Sequence, residues 1–351
     1  MSIKSNRVLA SYFNRFGATG KDAMDPGGLA AKIYVDDVFS TDLWVGVPGG
    51  SATITNNIDI SGEGGMVWVK NRQSGSAHLV YDTIRGAGKA VRTDDTDAEA
   101  THTDGPASFT STGYTTGSSG ANNHAGWTFR KAPGFFDIVT YEGDGSAQTI
   151  AHNLGCVPGC ILVKDIDSVT NWEVYHKHTD TSAPQDYKIE LNSTTARDDN
   201  ENVWNDTAPT SSVFTVGVNN STSGKTYIAY LFADGDDSAA QIFGDGRDES
   251  IIKCGTYEGS NTTSNVITVG FQPQYLLIKN IDAASQWMQF DTVRGIPDGT
   301  GDAYFHPSDT DAENTSFDFV DIKATGFELK STDQVTNSSH TFIYVAIRKE
   351  A

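Results

Sequence analysis

The residues best suited to chemistry sit in a repeated element, Asp82-Thr83-Ile84-Arg85-Gly86 and Asp291-Thr292-Val293-Arg294-Gly295. Downstream of these lie Asp95-Thr96-Asp97-Ala98-Glu99 and Asp309-Thr310-Asp311-Ala312-Glu313. Paired carboxylates of this kind could cleave a glycosidic bond by general acid/base action, as a polysaccharide depolymerase would. A local reading competes: Asp82 and Asp291 cap a turn and pair with Arg85 and Arg294, while glycine supplies a positive φ. The local reading is preferred, because a third segment carries Tyr175-His176-Lys177-His178 at this place and keeps its strands. No catalytic residue is assigned.

Other side chains could bind rather than react. Asp309, Asp311 and Glu313 alternate and could offer hard oxygen ligands to calcium, but no glycine-centred calcium loop surrounds them. His176 and His178 share a face of an extended segment, with His152 upstream, a set that could hold zinc or nickel. Solvated turn histidines are the plainer expectation, and neither metal nor cofactor is assigned. Trp172, Trp204 and Trp287 stand beside Asn, Asp and Gln, a combination that stacks on sugar rings while bonding their hydroxyls. Trp172 and Trp287 occupy equivalent places in a repeat, as core residues do. Trp204 has no counterpart, so Trp204, His176 and His178 are the candidate ligand contacts.

These residues are positioned by internal repeats. Three apolar runs end in lysine: Met66-Val67-Trp68-Val69-Lys70, Ile161-Leu162-Val163-Lys164 and Leu276-Leu277-Ile278-Lys279. Trp172 and Trp287 each follow their lysine by eight residues, and Asp82 and Asp291 by twelve. Each copy closes on an aromatic-rich strand: Gly126-Trp127-Thr128-Phe129, Tyr227 to Phe232, and Phe342 to Ile347. The second and third also open alike, on Tyr141-Glu142-Gly143 and Tyr257-Glu258-Gly259. Short runs separated by Gly, Asn and Asp turns, without a 3.6-residue period, predict antiparallel sheet. The expected fold is all-β: three tandem antiparallel β-sandwich, jelly-roll-like units behind a short N-terminal arm. Lys131-Ala132-Pro133-Gly134 and the acidic stretch 234–250 mark the joins. The predicted divisions are 1–45 (arm, with a short helix somewhere in Asn6 to Ala23), 46–133, 134–237 and 238–351.

Composition narrows the function. The 351 residues carry Lys+Arg 25 against Asp+Glu 45, a net charge of -20, which disfavours nucleic acid and anionic lipid. No apolar run is long enough to span a membrane, and Met1 to Gly20 lacks a signal-peptide core. Cys156, Cys160 and Cys254 show neither zinc nor CxxC spacing, so a reduced, cytosolic origin is expected.

From Asp37-Val38-Phe39-Ser40-Thr41 through Gly62-Glu63-Gly64-Gly65-Met66-Val67-Trp68-Val69-Lys70-Asn71-Arg72, the chain resembles a family of virion structural proteins of tailed phages from marine and cyanobacterial hosts. The resemblance continues at Trp127 to Asp137, Tyr141 to Gly145, His152-Asn153-Leu154-Gly155, Pro158, Trp172, Tyr175 and His176, and at Phe342 to Lys349. It implies a non-enzymatic tail or fibre component, assembled in the host cytoplasm and exposed on the virion. Residues 1–45 would anchor it to other virion proteins, and the repeats would contact a host surface glycan. A homotrimer is expected from the general symmetry of fibres, since no heptad is present. A capsid-bound fibre or decoration protein and a depolymerase are the alternatives.

Overall fold

The computed structural model describes residues 32–350. The first unit holds nine strands and one helical turn. They are β1 (Phe39–Val45), β2 (Thr53–Thr55), α1 (Ile60–Glu63), β3 (Gly65–Asn71), β4 (Leu79–Asp82), β5 (Lys89–Arg92), β6 (Ala100–Thr101), β7 (Pro106–Thr110), β8 (Gly113–Thr116) and β9 (Asn123–Arg130). A large sheet runs β1-β9-β3-β4-β5-β6 and a small one β2-β8-β7, all antiparallel.

The second unit repeats this with β10 (Phe136–Glu142), β11 (Gln148–Ala151), β12 (Pro158–Asp165), β13 (Glu173–His176), β14 (Tyr187–Glu190), β15 (Asp198–Asp199), α2 (Glu201–Trp204), β16 (Val213–Val216) and β17 (Thr226–Ala233). Its sheets run β10-β17-β12-β13-β14-β15 and β11-β16. The third has β18 (Ile252–Glu258), β19 (Asn265–Thr268), β20 (Pro273–Asn280), β21 (Met288–Asp291), β22 (Tyr304–Phe305), β23 (Val320–Lys323), β24 (Gly326–Leu329) and β25 (Thr341–Arg348). Its sheets run β18-β25-β20-β21-β22 and β19-β24-β23. The molecule is three tandem antiparallel β-sandwiches.

The lysine-terminated runs are the central strands β3, β12 and β20, and both of their faces are buried. In β3, Val67 and Val69 join Leu79 and Tyr81 against Ile54 and Tyr114 of the small sheet. Met66 and Trp68 point the other way, into a core shared with the other two units. Strands covered on both sides read as continuous apolar runs rather than alternating ones, because neither face meets water.

The shared core closes the units into a ring. Phe129 stands 5.7 Å from Phe232 of the second unit and 6.0 Å from Tyr275 of the third, ring centre to ring centre. Phe39 and Tyr275 meet edge-on at 5.5 Å. Aligned by strand register, Phe129, Phe232 and Ile347 are one position, as are Met66, Cys160 and Tyr275. A pseudo-threefold axis therefore runs through one chain.

Two expected boundaries change. Phe39–Val45 belongs to the first sandwich as β1, and not to an arm. The equivalence hid because Trp44-Val45-Gly46 stands where the other copies have Tyr-Glu-Gly; Trp44 stacks on His124 as Tyr141 stacks on Tyr227 and Tyr257 on Phe342. The third unit's first strand begins at Ile252, beyond the stretch 234–250, which holds a 3-10 turn at Ser238–Ala240. Residues 1–31, including the expected helix, lie outside the described residues.

A core common to three units makes their unfolding one event. Phe129→Ala should cost about 3–5 kcal/mol and lower the stability of all three sandwiches together. Urea unfolding followed by tryptophan fluorescence and by far-ultraviolet circular dichroism should give coincident single transitions. Separate transitions would show that the units fold independently.

The inter-unit seams as the candidate functional site

The strand-end lysines follow Met66 and Trp68, or their equivalents, on the inter-unit face, and all three are fully buried. The Lys70 ammonium donates to the Thr310 carbonyl of the third unit at 2.9 Å. Lys164 donates to the Thr96 carbonyl of the first at 3.3 Å, and Lys279 to the Thr194 carbonyl of the second at 3.1 Å. The same three carbonyls accept backbone N–H groups across the seam, from Ser76 (2.9 Å), Thr170 (3.0 Å) and Ser285 (2.7 Å). Three residues further on, the N–H groups of Glu313, Glu99 and Arg197 donate back to the carbonyls of Arg72, Ile166 and Ile281 at 2.9–3.0 Å. The same latch thus occurs three times, each unit reaching the next in one rotational sense.

An ammonium has three donors and no acceptor, so a ring of carbonyls suits it. Lys70 also reaches the Ser76 carbonyl at 2.7 Å, Lys164 those of Asp165 and Ser168 at 2.8 and 3.2 Å, and Lys279 that of Ser285. Burial pushes Lys70 and Lys164 down to about 8, opposed by Asp94, Asp309 and Asp311 at the first and by Asp165, Asp95 and Asp97 at the second. Lys279 has no such carboxylates and falls to about 7.

The Asp-Thr-x-Arg-Gly elements are turns at the ends of β4 and β21. Asp82 accepts the N–H groups of Ile84 and Arg85 at 2.9 and 2.8 Å and pairs with the Arg85 guanidinium at 2.5 Å. Gly86 sits at φ +92 and Gly295 at φ +123, where only glycine is unstrained. Each aspartate also crosses a seam: the Tyr230 hydroxyl donates to Asp82 at 2.7 Å, and the Trp127 indole N–H donates to Asp291 at 3.0 Å. Arg294, paired with Asp291, lies 5.2 Å over the Trp127 ring. Both carboxylates are buried and fully engaged, so neither is placed to protonate or attack a substrate.

At the third seam the corresponding residue is His176, and Val345 takes the place of Trp127 and Tyr230. The His176 ring is buried and meets the Tyr344 carbonyl at 3.2 Å; burial lowers its affinity for a proton to about 3. Its neighbour His178 is half-buried, 5.8 Å away ring to ring, while His152 bonds the Thr210 carbonyl elsewhere. Among the described residues no three His, Cys, Asp or Glu side chains gather as a metal site. In the acidic triplet, Glu313 is held by a bidentate pair to Arg72.

Trp204 is not available to a ligand. It lies 2% exposed at the end of α2, edge-on to Tyr175 at 5.9 Å. It has no counterpart because α2 follows β15 where the other units place the third strand of the small sheet. Trp172 and Trp287 are seam residues, their indole N–H groups donating across to the Arg92 and Glu190 carbonyls at 2.6 and 2.9 Å. The sequence places Tyr230 and Trp127 in the aromatic closing strands and Thr96 and Thr310 in the acidic repeat, without marking any of them as a seam contact. Their only signal was the repeat itself, in the lysine that ends each run and the Asp-Thr-Asp-Ala-Glu that recurs downstream.

Two outcomes follow for the seams. Asp82→Ala removes the closest counter-charge of the buried Arg85 guanidinium, leaving Glu99 at 3.5 Å, and should cost at most about 3–5 kcal/mol. Tyr230→Phe should cost about 1 kcal/mol, and the double variant should be non-additive; strict additivity would deny the seam bond. The unfolded lysine titrates at about 10.4, so between pH 7 and 10 the unfolded chain keeps a proton that folded Lys279 has lost. Stability should therefore rise with pH through this window relative to Lys279→Met. Equal pH slopes in urea titrations of the two proteins would refute the assignment.

The profile of a family described as Domain of unknown function (DUF7483) matches residues 35–134 and again 130–350. The break falls at the crossover from the first sandwich to the second, and the second match spans the second and third sandwiches together. No curated protein matches the sequence. With nearly all of the described residues matched, the chain belongs to the DUF7483 family.

Proposed function

We propose that this chain is a structural component of a tailed-phage virion, most simply a tail or fibre component. The observation that carries the reading is the closed pseudo-threefold ring, whose buried polar groups serve to lock unit to unit. The resemblance of β1, β3, β9 and β25 to virion structural proteins supports the same reading.

The ring has two different ends. The crossovers 131–135 and 234–251, the start of β1 and the end of β25 share one end of the large sheets. The opposite end carries the tip loops, closed by equivalent bonds from Gly46 to Asn122, Gly143 to Lys225 and Gly259 to His340. We assign the crossover end to the particle, with the N-terminal arm as anchor, and the tips to the outside. Any glycan contact would then be made by the tips, since Trp204 and His176 are enclosed. The threefold organisation of a fibre is, in this reading, built into one chain instead of a homotrimer.

Purified virions labelled with an antibody to the third unit should show signal over the tail; signal over the head would favour a decoration protein, and none at all would remove the protein from the particle. Light scattering on the purified chain should return the mass of one chain. The mass of three would restore the homotrimer.

A further inference from the structure

Beside the seam between the third and first units, the loop after β22 encloses a surface pocket of about 390 Å³. Tyr304, His306, Asp311 and Asn314 line it, with Ser316 at the same wall. The base of the loop is closed by Tyr304 and Asn314, whose N–H groups donate to each other's carbonyls at 3.0 and 3.2 Å. The polar side chains of this pocket are not used up by the fold. His306 donates from Nδ1 to the Trp287 carbonyl at 3.0 Å, which leaves the Nε2 lone pair. Asn314 Oδ1 accepts the Ser316 N–H at 2.8 Å, which leaves the Nδ2 donor. Among the described residues, the Tyr304 hydroxyl and the Asp311 carboxylate have no hydrogen-bond or ion-pair partner.

The other two units show what the repeat places here. In strand register His306 matches Arg92 and Glu190, which follow the equivalent buried residues Phe305, Val91 and Ile189. Asp309 and Asp311 match Asp95 and Asp97. In the first unit the Arg92 guanidinium lies among the carboxylates, pairing with Asp94, Asp95 and Asp97 at 2.7, 2.6 and 3.3 Å. In the second, Glu190 is met by Lys188 at 2.8 Å. Both units thus supply a cation from within. The third keeps the two carboxylates and has no arginine at this place. Gln286 takes Asp309 at 2.8 Å. Lys70, on which both carboxylates act, is committed to the Ser76 and Thr310 carbonyls.

We propose that the third-unit pocket binds the guanidinium group of an arginine side chain on a basic partner protein, Asp311 pairing with it as Asp97 pairs with Arg92. A guanidinium carries five donors and no acceptor, which suits a carboxylate, an imidazole Nε2 and a phenol oxygen. The source is a protein and not a free cation because Asn314 Nδ2 is itself a donor. It suits the backbone carbonyl beside an arginine and has no acceptor to meet in a small cation. The net charge of -20 steers basic partners toward the molecule. This goes beyond the virion reading and does not rest on it, since the pocket belongs to the fold whatever the chain assembles with.

The test uses the full chain, isotopically labelled at its alanine methyl groups, with Ala312 in the pocket wall as the reporter. Titration with acetyl-Gly-Arg-Gly-amide should shift the Ala312 resonance with a Kd on the order of 1 mM, as for one anchored side chain. The matching citrulline peptide, similar in shape but uncharged, should leave it in place. Asp311→Asn should weaken binding about tenfold, the loss of one charged hydrogen-bond partner. Asp97→Asn in the first unit should change nothing. His306→Arg should abolish binding by restoring the internal cation, with the melting temperature kept or raised. Equal shifts from the two peptides, or undiminished binding by His306→Arg, would overturn the site. Tighter binding of agmatine than of the arginine peptide would overturn the protein source and make the ligand a free small cation.

Discussion

Each central strand ends in a lysine that has no route to water and whose best acceptors belong partly to another unit. Desolvating an ammonium costs several kcal/mol, which only well-placed hydrogen bonds offset. For Lys70, Lys164 and Lys279 some of those bonds come from Thr310, Thr96 and Thr194 across a seam. A sandwich taken alone would expose the second face of its central strand and strip the lysine of an acceptor. Closure of the ring is thus a condition of each unit's stability and not an arrangement of finished domains. The shared aromatic core around Phe129, Phe232 and Tyr275 follows from the same geometry, since the face that carries the lysine also carries these rings or their strand neighbours.

The latches repeat, but the side chains around them do not, and the differences give each seam an identity. Between the third and first units Glu313 pairs with Arg72. Between the second and third the charges are reversed, Arg197 pairing with Asp282 at 3.1 Å. Two seams join a buried Asp–Arg turn to a Trp or Tyr donor, and the remaining one sets His176 beside Val345. Mispairing any two units would bring like charges together or leave a buried aspartate without its donor, so the chain closes in one order.

Much of this was legible in the sequence, and the failures have physical causes. The lysine-terminated runs marked the central strands, and the turn role of Asp82 and Arg85 followed from Asp-x-x-Arg-Gly spacing alone. Both depend on local geometry, which a repeat displays openly. What stayed hidden lies between elements distant in the chain: Lys70 to Thr310 spans 240 residues. Periodicity could not tell a strand buried between two sheets from one buried between two units. Trp204 looked like a surface residue because of Asn205 and Asp206, yet those residues end α2, with Asn205 at φ +53, while the indole turns inward. β1 reads as part of an arm because Trp44 stands where the other copies have tyrosine, although the stacking it makes is the same.

Placing three units in one chain permits what three identical chains could not. A homotrimer has one seam sequence and one tip, repeated; here each seam and each tip can change alone. The tips show how far this has gone. In the second and third units the Tyr141 and Tyr257 hydroxyls donate to the Asn220 and Thr336 carbonyls, and Phe214 and Phe327 pack beside them. In the first unit those places hold Trp44 and Tyr114, with His124 stacked on the indole. The Trp44 indole N–H, the Tyr114 hydroxyl and the His124 Nδ1 are buried there without a hydrogen-bond partner among the described residues. Such groups destabilise a fold unless something else selects them. The ring can carry that cost at one tip because the latches beneath it are complete, and divergence at the tips is then the property that a single-chain ring makes available.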